Sequence, residues 1–378
     1  MESLRFDLSN YNDDIKKDII SKIPFISVEI NDSYIDGCML TVTVKKDPSY
    51  ISEKVKELLD KLHEDSNKYV SETIFENDVE MNGNFKDAYS NLLKRGWIIN
   101  YDNGLVGLGG EFLKLYYHFD KLFLEWASNN NAEEYIYPEL ISIDDLIKCN
   151  YISQFPHHLL FANHLKEDYD TIKEFSHNIS SDEQCFDSSY FSTPKHVNKS
   201  SICIHTYKQY ENMIIDLDHP IVVTSMGKCK RYESFNMKSL ERLLDFRMRE
   251  ISFIGSEELV LRKREIFMEL TKSLILQLEL KANIKTSSDP FFLNEFNQKA
   301  LLQKKFKLKY ETNFYLPDEK RDLAVGSYNY HATYFSDAFN IKGKNDKPVY
   351  TGCVAFGLER FVYAFLSQKG FDTYNDIL

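Results

Sequence analysis

The sequence has no apolar run that approaches the roughly 18 residues of a membrane-spanning helix. Its first residues, MESLRFDLSNYNDD, are polar and acidic and lack the basic and apolar regions of a secretory signal. We therefore expect a cytoplasmic protein with no membrane partner. The 378 residues are 43% hydrophobic and 14% aromatic, so the chain can bury a sizeable core.

Cysteine is scarce, and its spacing does not resemble a disulfide framework. The six positions are Cys38, Cys149, Cys185, Cys203, Cys229 and Cys353. In a chain of this size such scattered cysteines indicate reduced thiols, and some of them can be metal ligands.

Positive charge is also in short supply, because 46 basic residues face 58 acidic ones and the net charge is −12. This balance argues against an extended nucleic-acid surface, since contacts to phosphate groups need lysine and arginine. A local basic patch remains compatible with it. The sequence contains neither internal repeats nor low-complexity tracts.

Residues 1–80 are predicted to form a small, separate α+β domain. Residues 26–30 and 38–44 alternate like strands, and residues 52–65 have the pattern of a charged amphipathic helix. This domain has 18 acidic and 10 basic residues, so most of the negative charge lies here. Residues 80–86 are the expected linker. The sequence leaves the role of this domain open, and a structural or partner-specific role is favoured.

Residues 86–378 are predicted to form a larger α+β domain, in which helices flank a mostly antiparallel sheet. HPIVVTSMGKCKRYES and FRMREISFIG contain two strands that pair as a long hairpin. A strong helix follows over residues 256–280, with Ser256 as its N-cap. KFKLKYETNFYL, AVGSYNYH and TGCVAF are three further strands. YIYPELIS contains Pro138, which favours an edge or interface strand.

Near the C-terminus, AFGLERF places an arginine at the start of an apolar helix. Gly357 allows the backbone to approach a ligand closely. Arg360 then lies in the first helical turn, where free N–H groups and the helix dipole favour an anion. The alternative is that Arg360 pairs with Glu359 or faces solvent.

CKRYES contains Arg231 and Glu233, which would share one face of a strand because they lie two residues apart. The pair is compatible with a salt bridge. It is equally compatible with a nucleotide site, where the arginine binds phosphate and the glutamate accepts from an adenine amino group. Arg247 and Arg249 repeat the spacing on the next strand, so an anion or carboxylates should lie nearby.

Cys203, Glu250 and Cys353 each occur in a segment with the pattern of a strand. Two thiolates and a carboxylate would suit Zn²⁺ and leave a fourth coordination position open, as in catalytic sites. The alternative is that the cysteines are small core residues.

Several of these segments resemble known motifs. CKRYES with LLDFRMRE resembles the second signature motif of class II aminoacyl-tRNA synthetases, AFGLERFVYAFL the third, and YIYPELIS the first, which forms the dimer interface in that family. GSYNYHATYF, TGCVAFGLERF, SSDPFF and FRMRE resemble the amino acid:[carrier protein] ligases, truncated homologues of the atypical zinc-dependent seryl-tRNA synthetases. The resemblance covers roughly residues 86–375.

The resemblance implies a class II synthetase-type catalytic domain and a two-step ligase. An amino acid and ATP would give an aminoacyl-adenylate, and the acyl group would then move to the phosphopantetheine thiol of a carrier protein. The implied partners are a small amino acid such as glycine, alanine or serine, the carrier protein and a second copy of the chain. A tRNA partner is not expected.

The resemblance also implies roles for individual residues. Zn²⁺ would be held by Cys203, Glu250 and Cys353 and would bind the substrate's amino group. Arg231 would contact the α-phosphate and the activated carboxylate, and Arg360 the γ-phosphate.

The remaining implied roles concern ATP and its metal. Glu233 would accept from the adenine amino group, and Glu311 is a candidate Mg²⁺ ligand. Asn329 and Arg249 would line the pocket for ATP and substrate. The sequence departs from the family pattern at Lys230, where an aromatic residue is usual, and at Tyr232, where histidine is common.

Two other functions remain open. A tRNA-charging synthetase of the seryl type would need a basic tRNA-binding module, whereas residues 1–80 are acidic. A non-catalytic relative with a regulatory role would not need the full set of site residues.

Overall fold

The computed structural model describes residues 1–65, 71–81, 87–180, 187–289 and 302–371. Most of the expected linker at 80–86 lies outside the described residues. So do Cys185, the phenylalanines of SSDPFF and the LNEFNQKA segment that follows them.

The described strands are β1 (Glu2–Asp7), β2 (Ile30–Asp36), β3 (Met39–Val44), β4 (Thr73–Asn77), β5 (Ile98–Asp102), β6 (Leu105–Leu108), β7 (Glu133–Glu134), β8 (Leu140–Ser142), β9 (Phe161–Ala162), β10 (His196–Asn198), β11 (Ile214–Ile215), β12 (Ile221–Lys230), β13 (Asp245–Gly255), β14 (Ala282–Thr286), β15 (Lys309–Leu316), β16 (Arg321–Ala332), β17 (Lys342–Gly343) and β18 (Tyr350–Gly357). The described α-helices are α1 (Asp13–Lys22), α2 (Pro48–Asp65), α3 (Ala88–Lys94), α4 (Gly110–Asn129), α5 (Ile143–Lys148), α6 (Tyr151–Gln154), α7 (Tyr169–Ser180), α8 (Cys203–Gln209), α9 (Glu257–Gln277), α10 (Tyr334–Ala338) and α11 (Leu358–Lys369).

The centre of the fold is an eight-stranded sheet in the order β4-β14-β15-β16-β18-β13-β12-β7. Its neighbours are antiparallel except for β12 and β7, which run parallel. Helices α4, α9 and α11 pack on it and share its largest hydrophobic core. This arrangement confirms the predicted α+β architecture with a mainly antiparallel sheet.

Local sequence explains the long helix and the last helix of this layer. Ser256 caps α9 by accepting a hydrogen bond from the Leu259 backbone N–H at 3.4 Å, and two glutamates occupy the first turn. The predicted helix at 256–280 is therefore confirmed. Helix α11 is apolar on nearly all sides and is buried almost throughout, as such a pattern requires.

The first 65 residues fold around a core of their own. Strands β1, β3 and β2 form a three-stranded sheet that packs with α1 and α2, and residues such as Leu8, Ile19 and Val42 are fully buried there. We call residues 1–65 the N-terminal unit. Strand β4 follows it and pairs with β14, so the predicted boundary at residue 80 comes after a strand of the large sheet.

The strand expected at residues 26–30 was wrong. Pro24 lies in a 3₁₀ turn over Ile23–Phe25, and the strand begins at Ile30 and continues through the polar NDSYID segment. Among the described strands, β2 pairs only with β3, and it exposes most of its side chains, so polar residues are compatible with it.

The YIYPELIS segment is not one strand. Strand β7 ends before it and β8 begins at Leu140, so Pro138 lies between two short strands in different sheets. A proline has no N–H to donate to a sheet, which explains the interruption. Among the described residues, no helix combines the length and apolar composition that crossing a bilayer requires.

Candidate active site

A cavity of about 480 Å³ is lined by strands β13, β15, β16 and β18 and by the segments around them. All but one of the predicted site residues line it: Cys203, Arg231, Glu233, Glu250, Glu311, Asn329, Cys353 and Arg360. Residues that lie up to 157 positions apart in the chain therefore share one chamber.

The structure brings Cys203, Glu250 and Cys353 together. One ligand atom from each lies within 4.8 Å of the other two, and all three side chains are buried. We call these residues the ligand trio. Glu250 and Cys353 lie on the paired strands β13 and β18 as expected, but Cys203 is the first residue of helix α8 rather than part of a strand.

The helical position of Cys203 explains how the trio is oriented. The Glu250 carboxylate accepts hydrogen bonds from the backbone N–H groups of Ile202 and Cys203, at 2.9 and 3.1 Å. These donors belong to the start of α8, where backbone N–H groups lack helical partners. Both bonds end on one carboxylate oxygen, Oε2, so the Oε1 atom remains for another ligand.

The donor chemistry of the trio fits a divalent cation of the zinc type. Asn329 donates from Nδ2 to the Cys353 sulfur at 3.4 Å, which is the kind of hydrogen bond that orients a ligand atom in metal sites. The Cys353 thiol, burial and the Glu250 charge together raise the pKa of Cys203 well above its usual range. A bound cation would stabilise the thiolate against these effects.

His331 lies beside the trio and was missed by the sequence reasoning. The Tyr207 hydroxyl donates to the Gly352 carbonyl at 2.9 Å, so its 3.3 Å contact with His331 Nδ1 needs the imidazole to donate. The Nε2 lone pair then faces the Cys353 sulfur at 3.8 Å. Burial lowers the pKa of His331 to about 4, which keeps the ring neutral. Its spacing of two from Asn329 on β16 was the available signal.

Arg231 and Glu233 lie in the turn after β12, which ends at Lys230, and not on the strand itself. The Arg231 guanidinium donates to the Ser200 carbonyl from Nε and Nη2, at 3.1 and 3.0 Å. It also lies 5.4 Å from the centre of the Phe246 ring. Arg231 is therefore fixed by a neutral acceptor and keeps its charge for an anion.

Glu233 forms an ion pair with Arg242, a residue that the sequence reasoning missed. Burial alone would raise the pKa of Glu233, but Arg242 and Arg360 lower it to about 2. The carboxylate is therefore ionised and is a hydrogen-bond acceptor on the cavity wall.

Arg360 lies in the first turn of α11, and Gly357 is the N-cap residue of this helix. Its Nε atom donates to the Glu241 carbonyl and its Nη1 atom to the Ala324 carbonyl, the latter at 3.4 Å. The expected alternative of a pair with Glu359 is wrong, because that carboxylate accepts from the Arg247 backbone N–H at 3.0 and 3.1 Å.

Glu311 belongs to a buried polar network. Its carboxylate accepts from the Ser287 hydroxyl at 2.8 Å and pairs with Lys309 at 3.1 Å. Lys309 also pairs with Asp289 at 2.8 Å. Burial alone would lower the pKa of Lys309, but Asp289 and Glu311 raise this pKa and keep the side chain charged. The sequence reasoning missed Lys309, although its spacing of two from Glu311 places both on one face of β15.

Arg249 does not line the cavity, so its expected role there was wrong. It is 2% exposed and makes two 2.8 Å contacts with Asp120 and one of 2.7 Å with Glu134. Glu250 follows it directly on β13, and successive strand residues point to opposite faces. Carboxylates, and not a ligand anion, therefore compensate the charge of Arg249.

No family model matches the chain. Among characterised proteins, the type-2 serine–tRNA ligase of Methanococcus aeolicus is 30% identical over 321 residues, which are 82% of this chain. The chain spans 60% of the length of that relative.

Two solved structures of serine–tRNA ligases are also similar to this chain. M. kandleri SerRS, in a complex with A. aeolicus tRNASec, has a TM-score of 0.71 at 21% identity and covers 98% of this chain and 75% of its own. The cytoplasmic serine–tRNA ligase of Naegleria fowleri in complex with AMP has a TM-score of 0.60 at 10% identity and covers 86% of this chain and 76% of its own. The expected class II synthetase fold is therefore confirmed.

The expectation of a carrier-protein ligase was wrong. The relatives are named for charging tRNA, and the solved SerRS is bound to a tRNA. Transfer to a phosphopantetheine thiol, the carrier-protein partner and the expected absence of tRNA are all overturned by these findings.

Proposed function

We propose that this chain, which has the fold of class II aminoacyl-tRNA synthetases, activates an amino acid with ATP and transfers it to a tRNA. One observation carries the proposal. The same cavity holds the ligand trio, whose donors fit a cation, and two arginines, Arg231 and Arg360, whose anchors are neutral carbonyls. Such a chamber can bind an amino group and a polyphosphate side by side.

The ligand trio is the proposed binding site for the substrate's amino group. Zn²⁺ held by Cys203, Glu250 and Cys353 would supply a Lewis-acidic position for a neutral amine and would disfavour acids that lack one. The trio is fixed by strand pairing and by the start of α8, so the amino acid is held in one orientation. His331, with its Nε2 lone pair directed here, is an acceptor for a substrate N–H or O–H group.

Arg231 and Arg360 carry the activation step. A substrate carboxylate oxygen attacks the α-phosphorus of ATP, the bond to the bridging oxygen breaks, and pyrophosphate leaves with that electron pair. Arg231 stabilises the charge on the α-phosphate and the carboxylate, and Arg360 binds the γ-phosphate. Glu233 accepts from the adenine amino group, and the Phe246 ring beside Arg231 offers a face for the base.

Glu311 is the proposed carboxylate ligand for Mg²⁺. Lys309 and Ser287 hold it in place, so the carboxylate is oriented before ATP binds. Asn329 is proposed to line the same pocket between this carboxylate and the trio.

In the second step, a hydroxyl of the tRNA's terminal ribose attacks the carbonyl carbon of the adenylate. AMP leaves, and the hydroxyl proton passes to the departing phosphate. The names of the relatives favour serine as the amino acid, which agrees with the expectation of a small substrate. The relatives are ligases, which agrees with an overall reaction that forms the ester bond at the expense of ATP, cleaved to AMP and pyrophosphate.

The test is ATP–pyrophosphate exchange with each of the twenty amino acids in the presence of Zn²⁺ and Mg²⁺, followed by charging of total tRNA. We expect exchange with serine and a labelled tRNA product. Arg231→Ala should lower exchange by about a hundredfold or more. Arg262→Ala, on the exposed side of α9, is the matched control and should retain it.

Two results would count against the proposal in different ways. If no amino acid supports exchange, activation itself is refuted, and the alternative of a non-catalytic relative gains. If exchange occurs but tRNA is neither charged nor retained on filters, the transfer step is refuted and activation stands.

A further inference from the structure

The N-terminal unit contacts the turn that carries Arg231 and Glu233. The Phe25 ring meets the His157 ring edge-on, with 5.0 Å between ring centres, and lies 6.3 Å from the Tyr232 ring. Asn236 donates from Nδ2 to the Ser21 carbonyl at 3.1 Å. Residues on both sides of Glu233 therefore contact the N-terminal unit.

Phe235 strengthens this contact. Its side chain is partly buried and packs against the core of the N-terminal unit. The 3₁₀ turns over Ile23–Phe25 and Ser234–Asn236 are in direct contact. The apolar side of the turn thus faces the N-terminal unit, while the carboxylate of Glu233 faces the cavity.

A second connection runs through two adjacent histidines. The rings of His157 and His158 are 3.9 Å apart, and His158 lines the cavity. The His158 carbonyl accepts from the Tyr232 backbone N–H at 3.0 Å. Phe25 therefore supports Tyr232 both directly and through the backbone that holds it.

The N-terminal unit also touches another wall of the cavity. Asp14 accepts from the Ser71 hydroxyl and pairs with Lys304 at 3.5 Å. The neighbouring Gln303 lines the cavity and donates to Asp289 at 2.8 Å. Two segments that border the chamber are thus attached to the N-terminal unit.

We propose that the N-terminal unit positions the nucleotide end of this site, and that Phe25 is the positioning residue through which it holds the Glu233 turn. The inference rests on the proposed function, because it assigns Glu233 to the adenine. The ligand trio is assembled by α8, β13 and β18, which hold one another through strand pairing and the Glu250 carboxylate. Arg231 is held separately by the Ser200 carbonyl, so loss of Phe25 acts on the adenine contact of Glu233 and leaves the amino-acid end intact.

The test compares Phe25→Ala with Phe25→Tyr, which keeps the ring, and with Tyr34→Ala, an exposed aromatic on β2 of the same unit. Phe25→Ala should raise KM for ATP in pyrophosphate exchange, and the Kd of a non-hydrolysable ATP analogue, about two- to tenfold. The KM for the amino acid and the zinc content should stay unchanged. Backbone N–H groups of residues 232–236 should exchange faster. The other two variants should match the wild type.

Three outcomes would overturn the inference: unchanged ATP binding in Phe25→Ala, an equal rise in both KM values, or a loss of thermal stability without faster exchange in the turn. Asn236→Ala, which removes the bond to Ser21, keeps the test open if Phe25→Ala fails to fold. If the wild type binds no ATP analogue, the proposed function fails, whereas the hydrogen-exchange comparison still decides whether Phe25 orders the turn.

Discussion

At the scale of single residues, the ligand trio depends on three specific residue types that come together in the fold. Two thiols and a carboxylate, with one sulfur accepting from an amide, are poorly explained as core packing alone. Burying a carboxylate without a compensating partner is unfavourable, and Glu250 receives two backbone hydrogen bonds in return. The three donor atoms in one place are what the proposed cation would require.

We predict that Cys203→Ser and Cys353→Ser each reduce the bound zinc of purified protein from about one equivalent to less than a tenth, because a hydroxyl is a far weaker ligand than a thiolate. Elemental analysis after dialysis measures this. The control is Cys38→Ser, since Cys38 is exposed and belongs to the N-terminal unit. Full zinc in either test variant, or none in the wild type, would contradict the assignment.

Glu359 gives a prediction about pH. Burial raises its pKa from 4.5 to about 7, so the buried carboxyl is protonated in the fold at pH values where the unfolded chain has lost the proton. This contribution to stability is complete below about pH 4.5 and is lost as the pH rises through 7. Relative to Glu359→Gln, the wild type should lose about 3 kcal/mol of unfolding free energy across this range.

Urea unfolding at pH 5 and pH 8 measures this difference. Glu258→Gln, at an exposed position of α9, should show the same offset from the wild type at both pH values. If the offset of Glu359→Gln is also independent of pH, the carboxyl titrates normally and the prediction is wrong.

The sequence allowed most of the site residues to be identified, but it did not predict which way each side chain points. Residue chemistry and spacing gave the trio and both cavity arginines as candidates, and motif resemblance implied their roles. Arg249 could have been excluded earlier, because it directly precedes Glu250 on a strand and the two must face opposite ways. His331 lies inside GSYNYHATYF and Lys309 lies two residues before Glu311, but the sequence reasoning gave neither a role, because their importance depends on which buried groups face them.

At the scale of elements, strands with strong alternation and long capped helices were predictable. Strands β12 and β13 and helix α9 all follow from local pattern. The start of α8 was not predictable, because a seven-residue helix is too short to show a period. Its position depends on the Glu250 carboxylate, which lies on a different element.

At Gly352, strand β18 lies very close to strand β16 and helix α9. A Cβ at this position would lie 2.7 Å from the Asn329 carbonyl oxygen and 2.9 Å from Val260. Gly352→Ala should therefore lower the free energy of unfolding by about 1–3 kcal/mol and weaken zinc retention, because Cys353 must move with the strand. Chemical denaturation and elemental analysis measure the two effects.

The control is Gly109→Ala, where a Cβ would meet nothing closer than 3.9 Å. It should leave zinc content unchanged. A stable Gly352→Ala protein with full zinc would show that β18 can shift without disturbing the trio.

At the scale of the whole molecule, net charge misled the choice of partner. The chain carries −12, but residues 1–80 account for an excess of eight negative charges, so the remainder is close to neutral. A sum over the chain therefore says little about the surface around the cavity. Net charge bears on long-range attraction and solubility, whereas specific recognition depends on local contacts.

The expected homodimer remains a prediction at this scale. Ile136 is 91% exposed beside Pro138, and Leu140 is 42% exposed, which leaves apolar surface next to the short strands β7 and β8. Light scattering should give about twice the 44.4 kDa of one chain. Ile136→Asp should give the mass of one chain, because a charge would then be buried in the interface.

Ile99→Asp is the control, since Ile99 is 54% exposed on β5, which belongs to a different sheet from β7 and from β8. A wild type that elutes with the mass of a single chain would refute the dimer directly.

The spacing of the ligand trio along the chain also determines when all three side chains become available during synthesis. Its last member leaves the ribosome about 150 residues after its first, which takes roughly 10 to 30 s at ordinary translation rates. During that interval a nascent chain has a helix start and a central strand but no second sulfur to close the site. If the trio binds a metal as proposed, the complete site would therefore form only late in the synthesis of each chain.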